Sequence, residues 1–198
     1  MPTKAVYILV FDGMADWEPA HALAELRRWG KREVAAIGFD HNPIKTMGGL
    51  QITPDVALSD VSAAEVELLI LPGGDLWEGG VYPRTELEAL IRALLAQDTP
   101  VAAICAATLA VARAGVLDER RHTSNMRGYL QGHVPEYRGE DQYVDALAVR
   151  DRHLVTASGL GAVEFARAVF AELSVFSAAD EQLWFDMFKH GKLPTAAI

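Results

Sequence analysis

The residue with most chemistry to offer in this 198-residue chain is its single cysteine, Cys105. Val101, Ala102, Ala103 and Ile104 run straight into it and read as a buried strand, and alanines and a leucine at helical spacing carry on to Gly115. No loop residues separate the two patterns. The spacing therefore places Cys105 in the sharp turn between a strand and a helix, with Gly115 as the helix stop. A side chain there stands above the end of the sheet, beside the first free amides of the following helix. A thiol in that position meets the positive end of the helix dipole, which favours thiolate. Ala103, Ala106 and Ala107 are small enough for so tight a turn. A lone cysteine in an apolar run is ordinarily a core residue; the strand-to-helix position turns the reading toward a nucleophile.

The elements that must position this thiol follow from hydrophobic periodicity. Residues 5–11 form a near-continuous apolar strand, as expected when both faces of a parallel sheet are covered. A turn at 12–16 leads into a helix over 17–29, with Asp16 as N-cap and Gly30 as stop. A strand at 33–39 follows, then a short hairpin or flap from 44–46 and 50–53 around Met47, Gly48 and Gly49. Ser62 caps a single turn before a strand at 67–71, which ends in the glycine turn Pro72-Gly-Gly-Asp75. A helix over 86–96 delivers the chain to the cysteine strand. Beyond Gly115 the pattern predicts a short strand at 120–124, a hairpin from 146–150 and 153–156, a helix over 162–173, and a last helix through His190 capped by Ser177 with Asp180. No repeat, low-complexity segment or long linker divides the chain, so residues 1–198 are expected to form one domain. Strand–helix alternation with short connections predicts a doubly wound, three-layer α/β sandwich with a mostly parallel sheet.

In such folds sites lie beyond the carboxyl ends of the strands, where strand order reverses. The turns at 12–18, 72–75 and 105–106 are expected to converge there. The amides of Gly74 and Ala106 are then candidates for an oxyanion hole, and Glu18 is an acid within reach of the thiol. A carboxylate in a first helical turn is also what the helix dipole favours by itself. Asp16 has a second reading as the helix cap, and Asp12 as the strand's terminator. The glycine-rich segment 73–80 has no Lys-Ser/Thr and so is no phosphate-binding loop; its Trp77 belongs either beside the site mouth or on a surface loop.

Composition narrows the partners. Eighteen basic residues against 27 acidic give a net charge of −9, which argues against nucleic-acid or anionic-membrane binding. One cysteine rules out an intramolecular disulfide and a cysteine-clustered zinc site. No metal or cofactor is expected. No apolar run reaches the length of a membrane span or a signal peptide, which predicts a cytoplasmic protein acting on a small-molecule substrate or oxidant.

Phe11-Asp-Gly13 with Glu18, Pro72-Gly-Gly74, Ala103-Ile-Cys105, Thr123-Ser-Asn125, and Ser158-Gly159 with Glu164-Phe-Ala166 occur together in order, and Gly49 to Asp55 adds a Gly-x-x-x-x-Pro-Asp segment. In this set the chain resembles the DJ-1/PfpI superfamily over nearly its whole length. The resemblance implies a flavodoxin-like fold, a homodimer, a reactive cysteine at a nucleophile elbow, and a glutamate from the first helix, here Glu18, hydrogen-bonded to it. It also supports Gly74 and Ala106 as oxyanion donors. The departures bear on function. Ala106 follows the cysteine where several relatives carry His, and Asn125 stands where others carry it. His122 lies an odd step along a strand from that position and is expected to be a surface or interface residue rather than a base. No His is followed by Glu at the amidotransferase spacing. Asp16 keeps an isonitrile-hydratase-like reading open, and Ala106 counts against it.

Two functions remain. One is a cysteine-dependent enzyme acting on a small carbonyl or amide compound, as a hydrolase, amidase or glyoxalase-like catalyst. The other is a redox-responsive stress-protection protein whose Cys105 oxidises to sulfinate without turnover.

Overall fold

The computed structural model describes residues 4–193. Seven strands form the central sheet: β1 (Ala5–Leu9), β2 (Val34–Gly38), β5 (Val56–Ala57), β6 (Val66–Leu71), β7 (Val101–Ile104), β8 (Ala148–Asp151) and β9 (Leu154–Ala157). Their order is β5-β2-β1-β6-β7-β9-β8, and every pairing is parallel except β8 with β9. The predicted mostly parallel α/β sheet is therefore present. Strands β6 and β7 are almost wholly buried, which is why their sequences read as unbroken apolar runs rather than alternating ones. From β1 the chain moves outward one way to β2 and β5, then returns to place β6 on the other side of β1. The sheet thus reverses order between β1 and β6. The turns that follow those two strands meet there.

Helices α1 (Trp17–Arg28), α6 (Ala162–Glu172) and α7 (Ala178–His190) pack together on one face, and α3 (Arg84–Ala96) and α4 (Thr108–Arg113) on the other. Short helices α2 (Leu76–Gly79) and α5 (Tyr129–His133) flank α4. Ser177 caps α7 as its spacing predicts, its hydroxyl accepting from the Asp180 amide at 3.2 Å. The β8–β9 hairpin turns through Arg152 and His153, both at positive φ, as a two-residue hairpin loop requires. Among the described residues no helix is long and apolar enough to cross a membrane.

The predicted flap exists as the antiparallel pair β3 (Ile44–Lys45) and β4 (Gln51–Ile52). Its anchoring corrects the expectation for Asp16. That side chain makes no cap bond to α1; its Oδ2 instead accepts from the Gly48 amide at 2.6 Å, at the flap's tip. The Thr46 hydroxyl bonds the same carboxylate and holds it below the usual range. Asp12 anchors the flap's first strand by accepting from the Lys45 amide at 2.7 Å. Likewise Ser62 makes no side-chain cap bond.

Three further expectations change. Residues 120–124 form only an isolated bridge, His122 with Tyr143, because both edges of β9 are already taken by β7 and β8. Thr123 ties the segment down instead: its amide donates to Thr156 Oγ1 at 2.9 Å and its hydroxyl to the Ala146 carbonyl at 2.8 Å. Trp77 is fully buried rather than at a mouth or surface, edge-on to Phe11 and Tyr82, with Nε1 donating to the Pro72 carbonyl at 2.8 Å. His122 is also fully buried. Its Nδ1 lies 2.7 Å from the Arg120 carbonyl and its Nε2 2.7 Å from the Tyr137 hydroxyl. Only an Nδ1–H tautomer satisfies both, with the tyrosine donating to Nε2, and burial lowers the ring's pKa.

Candidate active site

Strand β7 ends at Ile104 in extended conformation, and Cys105 follows at φ +61°, a left-handed backbone that residues with a Cβ rarely adopt. Residues Cys105–Ala107 make one 3-10 turn before α4 begins. This is the elbow expected from the sequence, and such strain persists only where surrounding bonds over-determine it. Thr108 supplies one of those bonds, donating from Oγ1 to the Cys105 carbonyl at 2.6 Å. Its single proton is then committed, so Ser124 Oγ, 2.6 Å away, must donate to it. The elbow is thereby pinned to the 123–125 segment.

That segment carries Asn125. Its Oδ1 accepts from the Gly159 amide at 3.0 Å, which fixes the amide group's orientation, and its Nδ2 donates to the Cys105 sulfur at 3.5 Å. The Ala106 amide also donates to the sulfur. Opposite these donors stands Glu18, in the first turn of α1 and only 1% exposed. Its Oε2 accepts from the Gly73 amide at 2.5 Å, and the thiol donates to the same carboxyl.

Two glycines make this approach possible. A Cβ on Gly73 would lie 2.6 Å from Glu18 Oε2 and 2.7 Å from Cys105 Cβ; one on Gly159 would lie 2.8 Å from the sulfur and 3.2 Å from Glu18 Oε1. Both residues stand in turns that follow sheet strands, β6 and β9 respectively. Gly74, at φ +153°, must also be glycine, since a Cβ there would sit 2.8 Å from the Phe11 ring.

Burial dominates the site's electrostatics. It pushes the Glu18 carboxyl up to about 7, against the lowering effect of its bonds from Gly73 and Cys105. Burial, then the negative charge of Glu18, push the Cys105 thiol up to about 11. This reverses the expectation of a thiolate favoured by the helix dipole. Bonds from Asn125 and Ala106 lower the thiol's pKa without overcoming burial. Between about pH 7 and about pH 11 the two groups hold one proton between them, and it rests mainly on sulfur.

The structure brings Cys105, Glu18, Ala106 and Asn125 together and places Gly74 next to Gly73 beside them. Asp16 and His122 are engaged elsewhere, with the flap and with Tyr137. Sequence reasoning singled out neither Gly73 nor Gly159 as a site residue, although both lie within motifs it noted. It also missed Tyr129, which donates to Glu78 at 2.8 Å and bonds Asn125. Burial raises the tyrosine's pKa, so it stays protonated.

Comparison with known proteins places the fold in a family. Residues 4–172 match the DJ-1/PfpI family. The chain belongs to that family. It is 38% identical to an uncharacterized protease of Bacillus subtilis over 97% of this chain and 94% of that one. A deglycase of Thermococcus kodakarensis is 30% identical over 75% of this chain and 89% of its own. Among solved structures, a thiJ/pfpI family protein of Bacillus anthracis superposes with a TM-score of 0.88 at 38% identity, covering 97% of this chain and 93% of that one.

Two outcomes follow from the site. The Glu18 carboxyl titrates at about 7 in the fold against an ordinary 4.5, so the cost of burying its charge is absent below pH 4.5 and complete above pH 7. At 1.36 kcal/mol per unit this is about 3 kcal/mol. Glu18→Gln should therefore raise the unfolding free energy by roughly that amount at pH 8 and leave it unchanged at pH 4; an equal effect at both pH values contradicts the assignment. Gly159→Ala should keep the melting temperature near that of the wild type, because the sulfur can swing away. The displaced sulfur should be alkylated on the order of tenfold more slowly, read by intact mass. An unchanged rate contradicts the close packing.

Proposed function

We propose that this chain is an enzyme that uses Cys105 as a nucleophile toward a small carbonyl or amide compound. The observation that carries the reading is the strained elbow, which holds the sulfur against an acid with a raised pKa and beside backbone amides. In its ionised form Glu18 takes the thiol proton as the sulfur–carbon bond forms. The carbonyl π electrons move to oxygen, and the amides of Ala106 and Gly74 receive the oxyanion. With a 2-oxoaldehyde, Glu18 returns that proton to the oxyanion and the product is a hemithioacetal, from which a glyoxalase-like reaction proceeds. With an amide it is a tetrahedral adduct; the amine then leaves with the proton that Glu18 returns, and water hydrolyses the thioester. Asn125 orients the sulfur. Relatives named as a protease and a deglycase fit this range of acceptors. The proposal includes a homodimer in the cytoplasm, with no nucleic-acid or membrane partner.

A second reading is favoured by the same carboxyl. Two equivalents of peroxide would oxidise Cys105 to sulfinate while being reduced to water, and protonated Glu18 would donate to a sulfinate oxygen. One experiment separates the two. Purified protein is given methylglyoxal and small amides, with product followed by chromatography. Turnover should fall by at least about 10³-fold in Cys105→Ser and about 10²-fold in Glu18→Gln. Undiminished turnover in Cys105→Ser overturns the enzymatic reading. Absence of turnover in the wild type, with a two-oxygen adduct on Cys105 after mild peroxide, selects the second.

A further inference from the structure

A cleft of about 430 Å³ opens beside the candidate site, within the size range of small-ligand pockets. One lining residue, Asn125, touches the thiol, and two others, Ser158 and Leu160, flank Gly159, which packs against it. Asn125 donates to the sulfur, and Ser158 precedes the glycine whose absent Cβ leaves room for it. The near wall of the cleft is therefore a wall of the thiol's own niche.

Further along, Met126, Leu147 and Leu160 line the cleft. Leu160 is 85% exposed and Met126 64% exposed, hydrocarbon that gains nothing by facing water. Two of the hydroxyls below them donate elsewhere, Thr123 to the Ala146 carbonyl and Ser124 to Thr108, and both residues are buried; Ser158 Oγ accepts from the Leu160 amide at 3.3 Å. Of the three hydroxyl protons, that of Ser158 alone is left for a polar ligand. The cleft's one cation, Arg127, is already held by Glu140 at 3.1 Å and Asp145 at 3.2 Å, and lies over the Tyr143 ring at 4.9 Å. Its charge is thus already met by two carboxylates, one of which, Asp145, itself lines the cleft. An anionic group would find no free cation and two carboxylates.

We propose that this cleft receives the tail of the compound that Cys105 attacks, and that it selects an uncharged apolar tail of several carbons over an anionic one. The proposal deepens the reading of Cys105 as nucleophile and rests on it. It assigns Met126, Leu147 and Leu160 to specificity, with Asp145 as the group in the cleft that excludes negative charge.

The test reads the cleft without requiring turnover. Cys105 is alkylated with iodoacetamide, N-hexyl iodoacetamide and N-(5-carboxypentyl) iodoacetamide, and each rate from intact mass is normalised to that reagent's rate with a free thiol. The hexyl reagent should react at least about fivefold faster than iodoacetamide, since partial burial of a few methylenes is worth that much. The carboxypentyl reagent should show no gain. Leu160→Ser should bring the hexyl rate back toward that of iodoacetamide, and Asp145→Lys should raise the carboxypentyl rate relative to hexyl. Equal normalised rates for all three reagents, or a carboxypentyl reagent that reacts fastest, overturn the proposal. A missing turnover of methylglyoxal and amides would overturn the enzymatic reading in a separate assay, so the two failures are told apart.

Discussion

Two ionisable groups, a buried carboxyl and a half-buried thiol, stand side by side and share one proton between about pH 7 and about pH 11. The rest of the site is built around that fact. Burying either charge is costly, and burying both is more so, because their like charges repel across a low-dielectric gap. Burial pushes Glu18 up to about 7, and burial followed by the charge of Glu18 pushes Cys105 up to about 11. The pair titrates as a unit, and its monoprotonated form replaces the doubly protonated one at about pH 7. In that form the proton can sit on sulfur, leaving an unreactive thiol, or on Glu18, leaving a nucleophile.

Holding the pair in place uses few interactions. A left-handed cysteine is kept by Thr108 and Ser124, and those residues are tied to β9 through Thr123 and Thr156. Asn125 joins the turn after β9 to the sulfur, and Gly73 joins the turn after β6 to Glu18. These contacts gather turns from four places in the chain at the point where the sheet reverses its order. The flap anchored by Asp12 and Asp16 borders the same end of β1, where α1 begins.

Much of this was legible in the sequence. The apolar run at 101–104 passing straight into helical spacing fixed Cys105 at an elbow, because no other arrangement fits a strand and a helix with no residue between them. The first-turn position of Glu18 was visible for the same kind of local reason. The glycines were not, since Gly73 and Gly159 matter for the Cβ they lack, and which atoms would collide with it depends on segments far apart in sequence. Tyr129 and Glu78 meet only because α5 and α2 both flank α4. The expected thiolate was reversed because the sequence displays the helix dipole but not the desolvation or the neighbouring carboxylate. Asp16 shows the limit of capping rules: its spacing suits a cap, yet a tertiary partner, the Gly48 amide, holds its carboxylate.

The most direct test of the shared proton is the rate of Cys105 alkylation by iodoacetamide as a function of pH, in the wild type and in Glu18→Gln. The wild-type rate should rise through about pH 7 as Glu18 ionises and then stay level into the alkaline range. In Glu18→Gln that limb should vanish, and the rate should climb only as the thiol itself ionises. A limb near pH 7 that persists without the carboxylate would contradict the account.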